Sequence, residues 1–110
     1  MLLTKAIKAS LPKLYSQENE ADPMVYLKFF NPCGAWTAYI TEGEPATPDN
    51  NGDYENNDFL FFGWVTSPEP ELGYLSLNEL SSVKLRWGLG IERDLHFTPC
   101  RLSECKAKGR

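Results

Sequence analysis

A single histidine and an odd count of three cysteines leave this 110-residue chain little of the machinery common in enzymes and secreted scaffolds. Any Cys–His or Ser–His pair must use His96. No serine sits between glycines at the spacing of a nucleophile elbow. Gly88-Leu89-Gly90 lacks the third glycine and the strand-to-helix setting of a phosphate-cradling loop. Three cysteines cannot all pair within one chain, which argues against a disulfide-stapled secreted fold. Long apolar runs are missing too: Phe59-Leu60-Phe61-Phe62-Gly63-Trp64-Val65 falls far short of the ~20 residues of a membrane span. Lys5 and Lys8 interrupt the opening stretch, so it lacks the apolar region of a secretory signal. No repeat or low-complexity tract occurs. These absences point to one cytoplasmic globular domain over residues 1–110 that does not cross a membrane.

What is present supports that reading. Hydrophobic residues at 42% and aromatics at 13% are too many for a disordered chain. The net charge of −4 conceals a strong asymmetry. Residues 1–17 carry +3, residues 18–79 carry −11 with Lys28 as their only base, and residues 80–110 carry +4. An acidic middle repels phosphate and disfavours nucleic-acid binding over the whole surface. Lys84, Arg86, Trp87 and Arg93 keep a local basic patch open as a lesser alternative.

The local grammar predicts an α+β fold: an antiparallel sheet of four to five strands with two short helices. Thr4 caps a helix through Ser10, and Pro12 interrupts it, so residues 1–15 read as a helix and its lead-in. Residues 24–97 read as the sheet core. Strands are expected over residues 24–30 and 35–42, joined by Asn31-Pro32-Cys33-Gly34 with type I turn chemistry and with Phe30 near Ala35. A long polar connection over residues 43–57 leads to strands at 58–66 and 71–75. Ser76-Leu77-Asn78-Glu79 matches a capping box, with Leu77 and Leu80 turned to the sheet. A last strand is expected over residues 91–97, and residues 98–110 read as a loosely ordered basic tail.

Three constellations bear on chemistry. Cys33, His96, Cys100 and Cys105 supply zinc-type ligands, but no Cys-x2-Cys knuckle is present, so no metal is expected. The three tryptophans, with Tyr26, Tyr39 and Tyr74, read as core rather than as a base-stacking platform. Carboxylates at strand ends are the sharper signal. Alternation puts Glu42 in line with Trp36, Ala38 and Ile40, and Asp58 in line with Leu60, Phe62 and Trp64. Glu42 and Asp58, with Glu71, Glu92, Arg93 and Asp94, form the candidate functional cluster, and Arg93 is expected to bridge the first two.

Thr41-Glu42-Gly43-Glu44-Pro45, Leu60-Phe61-Phe62-Gly63, Glu71-Leu72-Gly73-Tyr74, Leu77-Asn78-Glu79-Leu80 and Ile91-Glu92-Arg93-Asp94-Leu95-His96-Phe97 follow one another in this order. With Leu3-Thr4-Lys5 and Leu11-Pro12, they resemble the bacterial family catalogued as domain of unknown function 2958, over roughly residues 2–104. The resemblance implies a short protein of plasmids, phages and integrated elements, working in the bacterial cytoplasm. It transfers no catalytic residue and no cofactor. The expectation is therefore a small noncatalytic interaction module of a mobile element that engages a host or element-encoded protein. The alternative is a small metal-dependent hydrolase or nuclease using the strand-end carboxylates. The oligomeric state is left open.

Overall fold

The computed structural model describes residues 2–45, 58–66, 70–84 and 88–107, and the expected α+β architecture is present in them. Helix α1 runs from Lys5 to Ser10. Thr4 Oγ1 accepts the Ile7 amide at 3.2 Å as its cap. Pro12 holds the preceding Leu11 in extended conformation (φ −75°, ψ 134°), which ends the helix. The expected first strand is split at Tyr26 into β1 (Met24–Val25) and β2 (Leu27–Phe30). Then follow β3 (Thr37–Pro45), β4 (Phe59–Val65) and β5 (Glu71–Ser76). Helix α2 (Leu77–Ser82) starts at Ser76, whose Oγ accepts the Glu79 amide at 3.1 Å. The chain continues through β6 (Glu92–Arg93), β7 (Cys100–Arg101) and α3 (Leu102–Ala107). No helix among the described residues is long and apolar enough to cross a membrane.

Five strands form an antiparallel sheet in the order β5-β4-β3-β2-β6, and β1 pairs with β7 in a separate two-stranded ladder. The β2–β3 hairpin is antiparallel as expected, but Phe30 faces Thr37 rather than Ala35. The turn chemistry is present: Asn31 Oδ1 accepts the Cys33 amide at 2.7 Å, and the Asn31 carbonyl accepts Gly34 N–H at 3.2 Å. The loop closes two residues later, where Asn31 N–H reaches the Trp36 carbonyl at 3.0 Å.

The central strand β3 is covered on both sides. On one face Ala38 and Ile40 join Phe29, Phe59 and Phe61 beneath Leu3, Leu11 and Leu80. On the other, Tyr39 packs with Val25 under Leu102 and Cys105 of α3. Gly63 makes this close approach possible, because a Cβ there would stand 2.1 Å from the Tyr39 carbonyl oxygen.

Two expectations near the C-terminus are corrected. The last strand is only Glu92–Arg93. The Asp94 amide makes one more bond to Lys28 O, and then Asp94 Oδ1 accepts His96 N–H at 2.9 Å and turns the chain away. Residues 98–107 are no loose tail: they form β7 and α3, with Leu102 and Cys105 buried. Asp22 holds α3 from a distant part of the chain, its carboxylate accepting the Ser103 amide at 2.8 Å and the Ser103 hydroxyl at 2.6 Å. These two bonds keep the Asp22 carboxyl below its ordinary pKa of 3.8. The connection at residues 46–57 and the pair Arg86 and Trp87 lie outside the described residues.

Candidate functional site

The site begins with a β-bulge. Along β3, Ile40 lies opposite Gly63 and Glu42 lies opposite Phe62, so Thr41 is an extra residue. That insertion shifts the alternation by one. Glu42 consequently leaves the Ala38–Ile40 face expected from simple alternation and joins Phe62 and Trp64 on the other face. The bulge also lies where β2 has ended, leaving the outer edge of β3 unpaired by a strand.

Residues 12–17 fill that gap. Pro12 O accepts the Gly43 amide at 2.9 Å, and Glu44 Oε1 accepts the Leu14 amide at 2.9 Å. The Glu42 carboxylate, only 3% exposed, accepts the Tyr15 amide at 2.8 Å and the Gln17 amide at 2.9 Å. Gln17 acts as a substitute strand segment. Its Nε2 donates to Met24 O at 3.0 Å and to Thr41 O at 2.8 Å, and its Oε1 accepts the Met24 amide at 2.8 Å. Tyr15 is held at φ 69°, a left-handed conformation unfavourable for a bulky residue. Bonds from one buried carboxylate to the amides on both sides of the turn keep it there.

The strained turn sets Tyr15 beside the sheet. Its hydroxyl lies 3.1 Å from that of Tyr74, and the two rings meet edge to face at 6.5 Å. Tyr74 in turn packs on Phe62 at 5.0 Å. The hydrogen bond to Tyr15, followed by partial desolvation, raises the Tyr74 pKa above its ordinary 10.0. Leu72 stands opposite Trp64 and Tyr74 opposite Phe62 in the β4–β5 ladder, so all four share one face. Tyr15 at 59%, Leu72 at 52% and Tyr74 at 50% exposure make this a continuous apolar and aromatic surface. It borders a cavity of about 390 Å³ whose rim carries Glu18 and Glu20 and whose far wall is Leu102 and Lys106 of α3. Lys106 Nζ sits 3.6 Å from the centroid of the Trp64 ring. Past Lys106 a more open hollow of about 810 Å³ continues over Trp64, Tyr39, Phe30 and Lys28. Among the described residues β5 pairs only with β4, and none of them adds a strand along its other edge.

The sequence-derived carboxylates occupy separate places. Asp58 shares the Glu42 face but points toward β5. It accepts the amides of Phe59 at 2.8 Å and Asn78 at 2.9 Å and the Ser76 hydroxyl at 3.2 Å, thereby fastening the start of α2. Glu71 lies at the opposite end of the β4–β5 ladder, facing Val65. Glu92, Arg93 and Asp94 belong to the far edge of the sheet at β6. Arg93 stands beside Phe29, with β2 between it and β3, so it does not bridge Glu42 and Asp58 as expected. Asp94 pairs with Lys28 at 3.6 Å. No group of three His, Cys, Asp or Glu side chains among the described residues is placed to hold a metal ion. Sequence reasoning missed Tyr15, Gln17, Leu72 and Lys106. The Leu72-x-Tyr74 alternation beside Phe62-x-Trp64 was the available signal for two of them.

A family model described as "Protein of unknown function (DUF2958)" matches residues 2–108. The chain belongs to the DUF2958 family. No curated protein and no solved structure matches the chain. Family membership in DUF2958 thus adds identity without adding a reaction, and the function has to be argued from the Tyr15–Tyr74 surface itself.

Proposed function

We propose that this chain is a noncatalytic interaction module that binds an extended, lysine- or arginine-bearing segment of a protein partner along β5. The observation that carries this reading is the alignment of exposed Tyr15, Leu72 and Tyr74 with the outer edge of that strand. An added strand would gain main-chain hydrogen bonds from β5, and its alternate side chains would lie beside Leu72 and Tyr74 on the face that Phe62 and Trp64 share. The cationic preference follows from the acidic rim at Glu18 and Glu20, from the charge of −11 over residues 18–79, and from the Trp64 ring, which already receives the ammonium of Lys106. The family resemblance suggests the setting: a mobile genetic element in a bacterial cytoplasm, with the partner encoded by the host or the element. The hydrolase alternative gains no support from the dispersed carboxylates, each of which is engaged elsewhere or stands apart.

A peptide-display selection on the whole chain tests the proposal. Enriched peptides should combine basic residues with apolar residues at alternating positions. Their affinity should fall about tenfold or more for Leu72→Asp and for Tyr74→Ser, the loss of about 1.4 kcal/mol expected at a central contact. Absence of enrichment, or enriched peptides that bind both variants as tightly as the wild type, would contradict it.

A further inference from the structure

On the same face of the molecule, away from β5, the sulfurs of Cys100 and Cys105 lie 2.9 Å apart. Cys100 is on β7, where it faces Val25 in the ladder. Cys105 is in α3, 2% exposed, and packs in the cluster formed by Val25, Tyr39 and Leu102. The two backbones are therefore held by separate elements that already present the sulfurs to each other. Closing to the covalent S–S length of about 2.05 Å requires a movement of only about 0.9 Å. The pair is also reachable from one side. A hollow of about 280 Å³, lined by Lys28, Asp94, His96 and Phe97 with both cysteines, opens onto the half-buried Cys100. Cys33, in the exposed β2–β3 turn, stands apart.

We propose that Cys100 and Cys105 are a reversible dithiol–disulfide site that takes a small disulfide such as glutathione disulfide as its oxidant. Cys100, the accessible member, loses its proton to solvent, and its thiolate attacks one sulfur of the oxidant. The oxidant's S–S bond breaks, a mixed disulfide forms, and one glutathione thiolate leaves and is protonated. Cys105 then loses its proton and attacks Cys100 Sγ, expelling the second glutathione. Two protein thiols are oxidised to one disulfide while glutathione disulfide is reduced to two thiols. The new bond ties α3 to β7, and α3 carries Lys106, which sits over Trp64 next to the buried Cys105. The chemistry of the site is independent of the proposed partner binding.

Arg101 lies between the two cysteines and Lys106 follows the second, so trypsin places them on separate peptides, 94–101 and 102–106. The full-length chain is incubated with glutathione disulfide, acid-quenched, alkylated, digested and analysed by mass spectrometry. The expected product is the two peptides joined and two hydrogens lighter than their sum, with Cys33 outside the link, alkylated or carrying one glutathione, and with dithiothreitol releasing the pair. Under the same treatment Cys105→Ser should stop at a glutathione adduct on Cys100. Peptides that remain separate in the wild type would overturn the proposal, whether both are alkylated, both carry glutathione, or Cys100 is joined to Cys33. The wild-type digest decides the matter even where the serine variant does not fold.

Discussion

Replacing Glu42 by glutamine removes one acceptor oxygen and leaves the side chain nearly isosteric, so it isolates what the buried carboxylate does. In the wild type both oxygens are used, by the Tyr15 amide at 2.8 Å and the Gln17 amide at 2.9 Å. Glutamine can serve one amide with its carbonyl oxygen, but its NH2 group then faces the other backbone donor. A hydrogen bond to a charged acceptor contributes about 1.5–3 kcal/mol. The Tyr15 turn borders solvent, which lets water replace part of the lost bond, so the lower end of that range applies. Glu42→Gln should cost about 2 kcal/mol, which lowers the melting temperature by about 8 °C for a domain of this size. Glu44→Gln is the control: among the described residues Glu44 accepts the Leu14 amide alone, and a glutamine carbonyl can replace that bond at about 0.5 kcal/mol or less. Urea unfolding of the three proteins gives the difference directly. Amide exchange adds a local readout, because Tyr15 and Gln17 should lose protection in Glu42→Gln even under native conditions. If Glu42→Gln and Glu44→Gln unfold at the same urea concentration, the carboxylate does not hold the turn and the reasoning fails.

Other perturbations probe the remaining supports. Gly63→Ala should destabilise the fold by about 3 kcal/mol or more, since the added Cβ meets the Tyr39 carbonyl at 2.1 Å; wild-type-like unfolding would show that β3 and β4 pair differently. The Asp22 carboxyl is depressed by its bonds to Ser103, so its contribution is full above pH 3.8 and disappears as pH falls through the lower folded value. Asp22→Asn should therefore lower the melting temperature near neutrality and flatten its fall below pH 4. The Tyr74 phenol is raised, so the neutral form's contribution is full below pH 10 and is lost as pH rises through the folded value. Tyr15→Phe should move the tyrosinate absorbance titration of Tyr74 back toward 10.0. Magnesium should leave the melting temperature unchanged, whereas stabilisation that vanishes in Asp58→Asn would revive the hydrolase.

The parts of this structure that could be read in the sequence are those made by neighbours in the chain. Thr4, the Asn31-Pro32-Cys33-Gly34 turn and the Ser76 cap on the Glu79 amide each act within three residues, and each is present as its chemistry dictates. The bulge at Thr41 carries no compositional mark, because nothing in Ile40-Thr41-Glu42 differs from regular strand. Missing it put Glu42 on the wrong face and made Arg93 a plausible bridge. Helix α3 was hidden for another reason. The basic composition of residues 98–110 suggests fraying, while the helix's anchor, Asp22, lies 81 residues before Ser103. Leu102 and Cys105, three residues apart on one helical side, were the only local hint. The tyrosine surface needs both hidden features, since the bulge turns Glu42 to hold Tyr15 and α3 closes the far wall.

The central claim is that the outer edge of β5 accepts a strand, and amide-resolved NMR during titration with a lysine-bearing peptide from the display selection tests it most directly. The account predicts new protection of outward-facing β5 amides between Glu71 and Ser76, with shifts of the Trp64 indole and the Tyr74 ring, all weakened in Leu72→Asp. Binding that leaves β5 amides unprotected and shifts another surface would contradict it.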